Sequence, residues 1–300
     1  MSDLNVKFNE DIGAALGKKT EYVSLYDKQL LIRENRQRNR TYLGITNEKP
    51  PFVGVDVWNH YEVSALKSNG VPVSFIGKIM YSATNDFIVE SKSLKLYFGS
   101  FNNTVLGDSK YDVQRSIETT ATKDLSELLG TNVYVKLFDT STKPSDSYVS
   151  RFNCSRLEDS VDCKITDYKA GATSFIVPEY NTLDMDLHVY SDLLYSRCKI
   201  TNQSDSGSIE IYLRGGKLPE LNSLLREIVS MRGENHFHEE ICEKVYVDLY
   251  NALSPTDLMV ACYYNRRGSI DINPVRATSQ ELINRQFTNI YTPFGKLPRQ

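Results

Sequence analysis

Two segments of the chain alternate strictly between apolar and polar residues, and this two-residue period constrains the fold more than any other feature. Residues 132–138 read NVYVKLF and residues 208–213 read SIEIYL. Because successive side chains of a strand point to opposite faces of a sheet, each segment is predicted to be a half-buried β-strand. Further strands of an antiparallel sheet are expected between turn signals, at 53–66, 73–80, 187–197 and 258–264.

Helical periodicity follows the strands in both halves. Apolar residues recur every three or four positions over 217–231 and over 241–253, which predicts two amphipathic helices. In the first half, one helix is expected to open near Ser91 or Ser93, and another to cover 116–129 and end at Gly130. Each half then has the order strand, strand, helix, helix, strand, which indicates an internal duplication. The expected fold class is α+β, with antiparallel sheets and helices layered on one face.

Composition divides the chain into four parts. Residues 1–45 are polar, with arginines concentrated between 33 and 40, and they are expected to form a solvated arm or a helix that wraps a neighbour. Residues 46–140 and 185–300 are the two modules. Residues 141–184 are rich in Ser, Thr, Asp, Lys and Pro, as expected of a connector.

Charge, hydropathy and cysteine usage exclude several classes of protein. The 300 residues carry 35 basic and 38 acidic side chains, a net charge of -3. The chain therefore lacks the excess of positive charge that is typical of proteins that bind nucleic acid. No run approaches the roughly 18 apolar residues of a membrane span, and the first residues do not resemble a secretory signal. Five cysteines without CxxC spacing disfavour a disulfide framework or a zinc knuckle. A reducing cytoplasm is therefore the expected compartment.

Cys198 is the candidate nucleophile, because it follows a strand and shares a loop with Asp205. Arg197 and Lys199 flank it and would favour the thiolate. The alternative is that Cys198 is a small buried hydrophobe. The same string, Cys-Lys-Ile-Thr, recurs at Cys163, but that cysteine lies in the polar connector and is interpreted as structural.

The segment NHFHEE at 235–240 carries two histidines and two glutamates at the start of a helix. His236 and His238 are two positions apart, which is poor spacing for a zinc site on one helix face, so no metal is expected. One imidazole could instead transfer protons while Glu239 accepts hydrogen bonds from a ligand. The alternative is a solvated acidic first turn stabilised by the helix dipole, and it is favoured for Glu240.

Two basic pairs lie beside small residues, Lys92 with Lys95 and Arg266 with Arg267. Such groups suit a phosphate-bearing ligand, although neither segment is a glycine-rich dinucleotide fingerprint. Solvated surface charge is the alternative that spacing alone leaves open.

Five segments together resemble one known family, the NADPH-dependent 7-cyano-7-deazaguanine reductases in their two-module form. They are VDVWNHYEVSAL at 55–66, VESKSLKLYFGSFNNT at 89–104, the loop from Cys198 to Asp205, NHFHEE at 235–240, and RRGSIDINPVR at 266–276. The resemblance implies tandem modules of the tunnelling fold (T-fold), a cytoplasmic homodimer, a 7-deazapurine substrate and NADPH as the cofactor. It also implies reduction of the substrate's nitrile to an aminomethyl group, in queuosine-type biosynthesis.

The resemblance implies a role for each candidate residue. Cys198 corresponds to the nucleophile that adds to the nitrile carbon to give a covalent thioimide, and Asp205 corresponds to the proton donor, with His238 as a further catalytic residue. The implied substrate-binding residues are Val89, Glu90, Ser91, His238 and Glu239. The implied NADPH-binding residues are Ser91, Lys92, Arg267 and Gly268. The chain departs from the family at three loop positions, where Pro, Pro and Trp of the family are replaced by Lys199, Ser204 and Ser206.

Three other functions remain open at this point. A related transferase would form the same thioimide but pass it to ammonia or an amine without NADPH, and the basic segments at 90–95 and 266–268 argue against it. A pterin-type cyclohydrolase on the same fold would need a zinc site of Cys and His ligands. A non-catalytic deazapurine-binding protein would hold the base without reducing it.

Overall fold

The computed structural model describes residues 23, 25–46, 49–142, 154–168, 175–177, 185–286 and 300. The strands are β1 (Arg33–Asn35), β2 (Val53–Lys67), β3 (Pro72–Ser82), β4 (Phe87–Val89), β5 (Val105–Gly107), β6 (Val133–Asp139), β7 (Ser155–Arg156), β8 (Met185–Arg197), β9 (Ser204–Gly215), β10 (Asp257–Tyr264) and β11 (Ile270–Ala277). The helices are α1 (Gln37–Tyr42), α2 (Ser91–Ser100), α3 (Lys110–Leu129), α4 (Leu221–Ser230), α5 (His238–Leu253) and α6 (Gln280–Gln286).

Nine strands form one sheet, in the order β6-β3-β2-β11-β10-β9-β8-β7, with β5 paired to the end of β2. Neighbouring strands are antiparallel except β7 with β8 and β5 with β2. Strands β1 and β4 pair separately. The pairing of β2 with β11 joins the two halves of the chain, so the halves share one continuous sheet.

Strand β11 is the longest of the elements that the sequence does not predict, which also include the short strands β1, β4, β5 and β7 and helix α6. It contains Pro274, which lies opposite Asp56 of β2. A proline cannot donate to the ladder and argues against a central strand. The structure nevertheless places β11 at the junction between the halves, where all eight of its residues are buried.

Helices cover one face of the sheet in two groups. In the first half, α2 and α3 pack on β2, β3 and β6 around a core that includes Phe75, Leu94 and Leu125. In the second half, α4 and α5 pack on the face of β9 that carries Ile209 and Ile211, as its two-residue period predicts. Helix α3 begins at Lys110 after a Ser109 capping box, six residues before the expected start at 116, and it ends at the predicted Gly130, which has φ 63°.

The expected α+β class is confirmed, with one difference in the helix layer. Helix α6 lies on the opposite face of the sheet, where Leu282 and Ile283 pack with Met259 and Val275. In the part of the chain that the structure describes, no helix is long and apolar enough to span a membrane.

The expectation of a solvated N-terminal arm is contradicted where the structure describes that segment, whereas its alternative, a helix, is found at α1. Arg36 and Arg40 belong to the expected solvated arm, yet they are 4% and 0% exposed. The expected connector adds strand β7 to the edge of the sheet and places Leu157 in the second core. Most of residues 1–24 and much of 141–184 lie outside the described residues, so the proposed boundaries remain predictions there.

Candidate active site

A cavity lies between the two halves of the chain, with an empty volume of about 760 Å³ that is partly open to solvent. Helix α2 and strands β2 and β11 border it on one side, and the β8–β9 loop and the start of α5 border it on the other. Eight of the residues implied by the family resemblance line this cavity, namely Val89, Ser91, Lys92, Cys198, Asp205, His238, Glu239 and Arg267. The structure therefore gathers candidates that are far apart in sequence.

The loop between β8 and β9 presents Cys198 to the cavity. The amide of Cys198 donates to the carbonyl of Gln203 over 2.8 Å, and the amide of Asn202 donates to the carbonyl of Cys198 over 2.9 Å. Asn202 has φ 54°, the left-handed conformation that asparagine tolerates better than most residues. Cys198 is half-buried, whereas Cys163 packs against the second core, away from the cavity.

The two basic neighbours of Cys198 are engaged elsewhere. Arg197 donates to the carbonyl of Gly233 over 3.2 Å, and the Lys199 ammonium lies 3.2 Å from Glu240. The expectation that both charges serve the thiolate therefore finds no support in their contacts. These contacts connect the end of β8 to Gly233 and the β8–β9 loop to the first turn of α5.

Asp205 lies on β9, 4% exposed, with a cationic or potentially cationic group at each oxygen. Its Oδ1 is 2.9 Å from the Arg267 guanidinium, and its Oδ2 is 3.5 Å from Nε2 of His238. The His238 ring stacks on Tyr264 with 3.9 Å between ring centroids, which fixes the imidazole against Asp205. Buried Asp205 and half-buried His238 therefore lie in contact and line the same cavity as Cys198.

Glu239 is 3% exposed at the start of α5, and its Oε1 has no hydrogen-bond partner among the described residues. Burial, followed by the nearby charge of Asp56, raises the pKa of this carboxyl to about 8. Buried acceptors are almost always paired, so an unpaired one in a cavity indicates a ligand that donates. The alternative of a solvated acidic turn is wrong for both Glu239 and Glu240, because each is buried.

His236 is held by two carboxylates and does not take part in the same chemistry as His238. Its Nε2 is 2.8 Å from Glu234 and its Nδ1 is 3.2 Å from Glu240. Burial disfavours the imidazolium, but these hydrogen bonds raise the pKa of His236 to about 9. His236 therefore carries a positive charge at neutral pH, whereas His238 lies against Asp205.

Helix α2 contributes its first turn to the cavity, but its cap is not a serine. The Glu90 carboxylate accepts from the amides of Lys92 and Ser93 over 3.0 and 2.7 Å. Glu90 is thus the N-cap of α2 and does not line the cavity, whereas its neighbours Val89 and Ser91 do. To bind the Glu90 carboxylate, a substrate would have to compete with these two backbone amides.

Three cations border the cavity where α2 faces the turn before β11, and they fit a phosphate-bearing cofactor. They are Lys92, Lys95 and Arg267. Burial lowers the pKa of Lys95, and the positive charge of Lys92 lowers it further, so an anion placed there would relieve repulsion. Gly268 follows with φ 59°, a conformation that other residues rarely adopt.

One group of potential metal ligands occurs among the described residues, and it lies away from the cavity. It comprises Cys154, His188 and Glu210. His188 Nε2 is 2.7 Å from one Glu210 oxygen, and the Tyr263 hydroxyl donates to the other over 2.7 Å. These hydrogen bonds account for the pair without a metal, and nothing links the group to the chemistry at Cys198.

Comparison with known proteins identifies the family of this chain. Residues 22–137 match the family model described as "Nitrile reductase, 7-cyano-7-deazaguanine-reductase N-term", and residues 205–282 match one described as "QueF-like protein". A Rickettsia massiliae protein named NADPH-dependent 7-cyano-7-deazaguanine reductase is 38% identical over 265 residues, which cover 88% of this chain and 93% of that protein. The chain belongs to this family.

A second relative with the same name, from Legionella pneumophila, is 36% identical over 266 residues, which cover 88% of this chain and 89% of that protein. Among solved structures, the archaeosine synthase QueF-Like in the apo form is 18% identical with a TM-score of 0.29. That match covers 33% of this chain and 95% of the other.

Sequence reasoning missed the apolar and aromatic wall of the site. Trp58, Ile88, Ile270 and Ile272 line the cavity, but within their segments they are indistinguishable from ordinary strand residues. Asn265 also lines it, just after β10, and only its place beside the two arginines could have marked it.

Proposed function

We propose that the chain reduces the nitrile of 7-cyano-7-deazaguanine to the primary amine of 7-aminomethyl-7-deazaguanine, with NADPH as reductant and a covalent thioimide on Cys198. The product would serve queuosine-type 7-deazaguanine biosynthesis. The names of the relatives support the reaction. The observation that carries the residue assignment is the unpaired, buried Oε1 of Glu239, which shares one cavity with Cys198 and Asp205.

Glu239 suits the edge of a guanine-like base. Such an edge presents adjacent N–H donors, and an ionised carboxylate accepts two hydrogen bonds side by side. The flat ring would lie against the apolar wall formed by Ile88, Ile270 and Ile272. Binding of the base would therefore satisfy Glu239 and direct the nitrile towards the opposite side of the cavity.

The chemistry at Cys198 begins with addition of the thiolate to the nitrile carbon. The sulfur electron pair forms the new S–C bond, one π pair of the C≡N bond moves to nitrogen, and nitrogen takes a proton. Asp205 is the group assigned to deliver that proton, which the Cys198 thiol gives up, and His238, which stacks on Tyr264 beside Asp205, would assist the transfer. Splitting a difficult addition in this way is the logic of covalent catalysis.

Lys92, Lys95, Arg267 and the close approach at Gly268 would hold NADPH. When bound, NADPH would supply hydride to the activated carbon twice, and the C–S bond to Cys198 would break between the two transfers, with its electron pair returning to sulfur, so that the amine is released. The residues of the chain bind its phosphates with charge-assisted hydrogen bonds. Arg267 also pairs with Asp205, so one side chain would contact both the cofactor site and the proton donor.

The first test compares two cysteines with the same local sequence. Mixing the protein with the nitrile in the absence of NADPH should add the mass of one substrate per chain, on the peptide that contains Cys198. Cys198→Ala should lose both this adduct and NADPH oxidation, and the matched Cys163→Ala should keep both. An adduct on Cys163, or turnover by Cys198→Ala, would contradict the mechanism.

The same assay separates the alternatives. A transferase would form the adduct but release an amidine when ammonia is added, without consuming NADPH. A binding protein would bind the base and form no adduct. The cationic cluster beside the cavity supports the reductase over both.

We further propose a cytoplasmic homodimer that does not bind nucleic acid directly. Strand β6 ends the sheet with its outer edge unpaired within the described residues, and exposed Tyr134 lies on it. Open edges favour association with another strand. Light scattering at micromolar concentration should give twice the mass of one chain, and a monomer mass would contradict the proposal.

A further inference from the structure

Trp58 is a second buried polar group of the cavity that lacks a partner. It lies on β2, between Ile79 of β3 and Ile272 of β11, and is 1% exposed. Its side chain lines the same cavity as Glu239, and its indole Nε1 has no acceptor among the described residues. An indole nitrogen can only donate, and buried donors are rarely left unpaired.

The two unpaired groups of this cavity have opposite hydrogen-bonding character. Glu239, when ionised, only accepts, and Trp58 only donates. A base edge that carries a carbonyl beside an N–H group is complementary to this pair. An edge that carries an amino group beside an unprotonated ring nitrogen is mismatched at both positions, because donor would face donor and acceptor would face acceptor.

From this we propose that Trp58 is a specificity-determining residue whose indole N–H donates to the carbonyl oxygen of the base. This inference rests on the proposed function, since it concerns the same substrate. It assigns to Trp58 the discrimination between 6-oxo and 6-amino bases, a role that packing in a core would not require. A site built to pair a polar group rejects the analogue that leaves it unpaired.

The test measures binding of two bases without a nitrile, so that no covalent step interferes. They are 7-deazaguanine and 7-deaza-2,6-diaminopurine, with dissociation constants obtained by calorimetry and by competition at a pH above the raised pKa of Glu239, which is about 8, so that Glu239 is ionised. Trp58→Phe keeps an aromatic ring and removes the N–H group. This variant should bind 7-deazaguanine about 5- to 100-fold more weakly, the loss expected for one buried hydrogen bond. Its affinity for the diamino base should be unchanged or higher.

Tyr97→Phe is the matched control. Tyr97 is a fully buried aromatic residue of the same core cluster, and its hydroxyl donates to Asp124, outside the cavity. This variant should change neither dissociation constant, although it loses a buried hydrogen bond. Equal weakening of both bases by Trp58→Phe would show a packing effect and overturn the inference, as would unchanged binding of both.

The fluorescence of Trp58 gives a direct test of the contact with the base, because Trp58 is the single tryptophan of the chain. Saturating 7-deazaguanine should quench or shift its fluorescence in the unmodified protein, and an unchanged spectrum would contradict the contact. Failure of the proposed function has a separate signature. If the chain binds this base but does not reduce it, Trp58→Phe would still weaken binding of 7-deazaguanine selectively, while the unmodified protein would oxidise no NADPH. If the chain does not act on this class of base at all, the folded, unmodified protein would bind neither 7-deazaguanine nor the nitrile.

Discussion

Asp205 illustrates how much a single residue depends on neighbours that come from other parts of the chain. Its place in the sequence, on a polar loop after Cys198, is sufficient to make it a candidate. Its partners Arg267 and His238 come from the turn before β11 and from α5. The sequence gives no spacing rule for such contacts, so the role could be proposed from the sequence but its geometry could not.

The first prediction concerns this residue. Asp205→Asn keeps the shape of the side chain but cannot deliver a proton, so nitrile reduction should slow by about 10²- to 10⁴-fold. Circular dichroism should show an unchanged fold. Asp186→Asn is the matched control, because Asp186 is an exposed aspartate in the same half. Near-normal turnover by Asp205→Asn would contradict this assignment and make His238 the candidate proton donor.

The second prediction follows from the raised pKa of Glu239. Burial and Asp56 raise this pKa to about 8, so at pH 6 the free protein holds a protonated carboxyl that accepts less well. Binding of 7-deazaguanine should therefore tighten as pH rises from 6 to about 8 and then level off. Glu239→Gln should bind the base more weakly and lose this pH dependence. A dissociation constant that is flat with pH in the unmodified protein would contradict the assignment.

At the level of elements, the β8–β9 loop and α5 must hold a fixed distance, because one carries Cys198 and the other carries Glu239. Lys199 links them: its ammonium is 3.2 Å from Glu240 and 5.4 Å from the centroid of the Phe237 ring. Glu240 in turn accepts from the amide of Phe237 over 3.0 Å, so the loop is attached to the first turn of α5.

The third prediction tests this link. Lys199→Met should slow formation of the Cys198 adduct by roughly 10-fold, and by up to about 10²-fold, because small misplacement of reacting groups costs that much. Base affinity should stay within about 2-fold of the original, since Glu239 is untouched. Lys199→Arg should restore the rate, and Lys217→Met, at an exposed lysine after β9, should not alter it. Normal adduct formation by Lys199→Met would show that the ion pair is dispensable.

Elements were predictable where one physical signal dominated. Strand β9 and helices α3 and α5 follow from hydrophobic period and end signals, because burial of one face decides their form. Strand β11 was not predictable, since Pro274 contradicts a central strand locally and its pairing with β2 is a long-range contact. The burial of Arg36 could not be predicted from the sequence either, because it depends on acidic partners far along the chain.

Those acidic partners belong to a buried charge cluster that joins the whole molecule. Arg276 of β11 is 2.8 Å from Asp56 of β2 and 2.9 Å from Glu243 of α5. Arg40 is 2.8 Å from the same Glu243, and Arg36 pairs with Asp56. The N-terminal segment, both halves and the helix of Glu239 thus meet at one point, where three guanidinium groups face two carboxylates.

The excess of positive charge in this cluster affects the ionisation of Glu239 in the candidate site. The charges of Arg36 and Arg276 favour the ionised form of Glu239, while burial and Asp56 oppose it. With Glu239 ionised, the cluster would hold equal numbers of positive and negative groups. Base binding would favour the ionised form of Glu239, and Arg36 of the N-terminal segment and Arg276 would support that form through their charge.

The last prediction concerns stability and pH. Burial, reinforced by Asp248, raises the pKa of Glu227 to about 8, and Glu239 is raised to a similar value. Between the ordinary glutamate pKa and pH 8, the folded protein keeps protons that the unfolded chain releases, so rising pH favours unfolding. The raised pKa of His236, about 9, acts in the same direction between about pH 6.5 and 9, because its stabilising charge is lost on deprotonation.

The free energy of unfolding should therefore decrease from about pH 5 to pH 9, by at most about 1.4 kcal/mol per pH unit for each group. Urea unfolding at a series of pH values measures this slope. Glu227→Gln removes one of the three groups without touching the cavity, so it should gain stability relative to the unmodified protein as pH rises to 8. Glu281→Gln, at an exposed glutamate of α6, should follow the original curve. A Glu227→Gln curve parallel to the original would show that burial of Glu227 does not hold its proton.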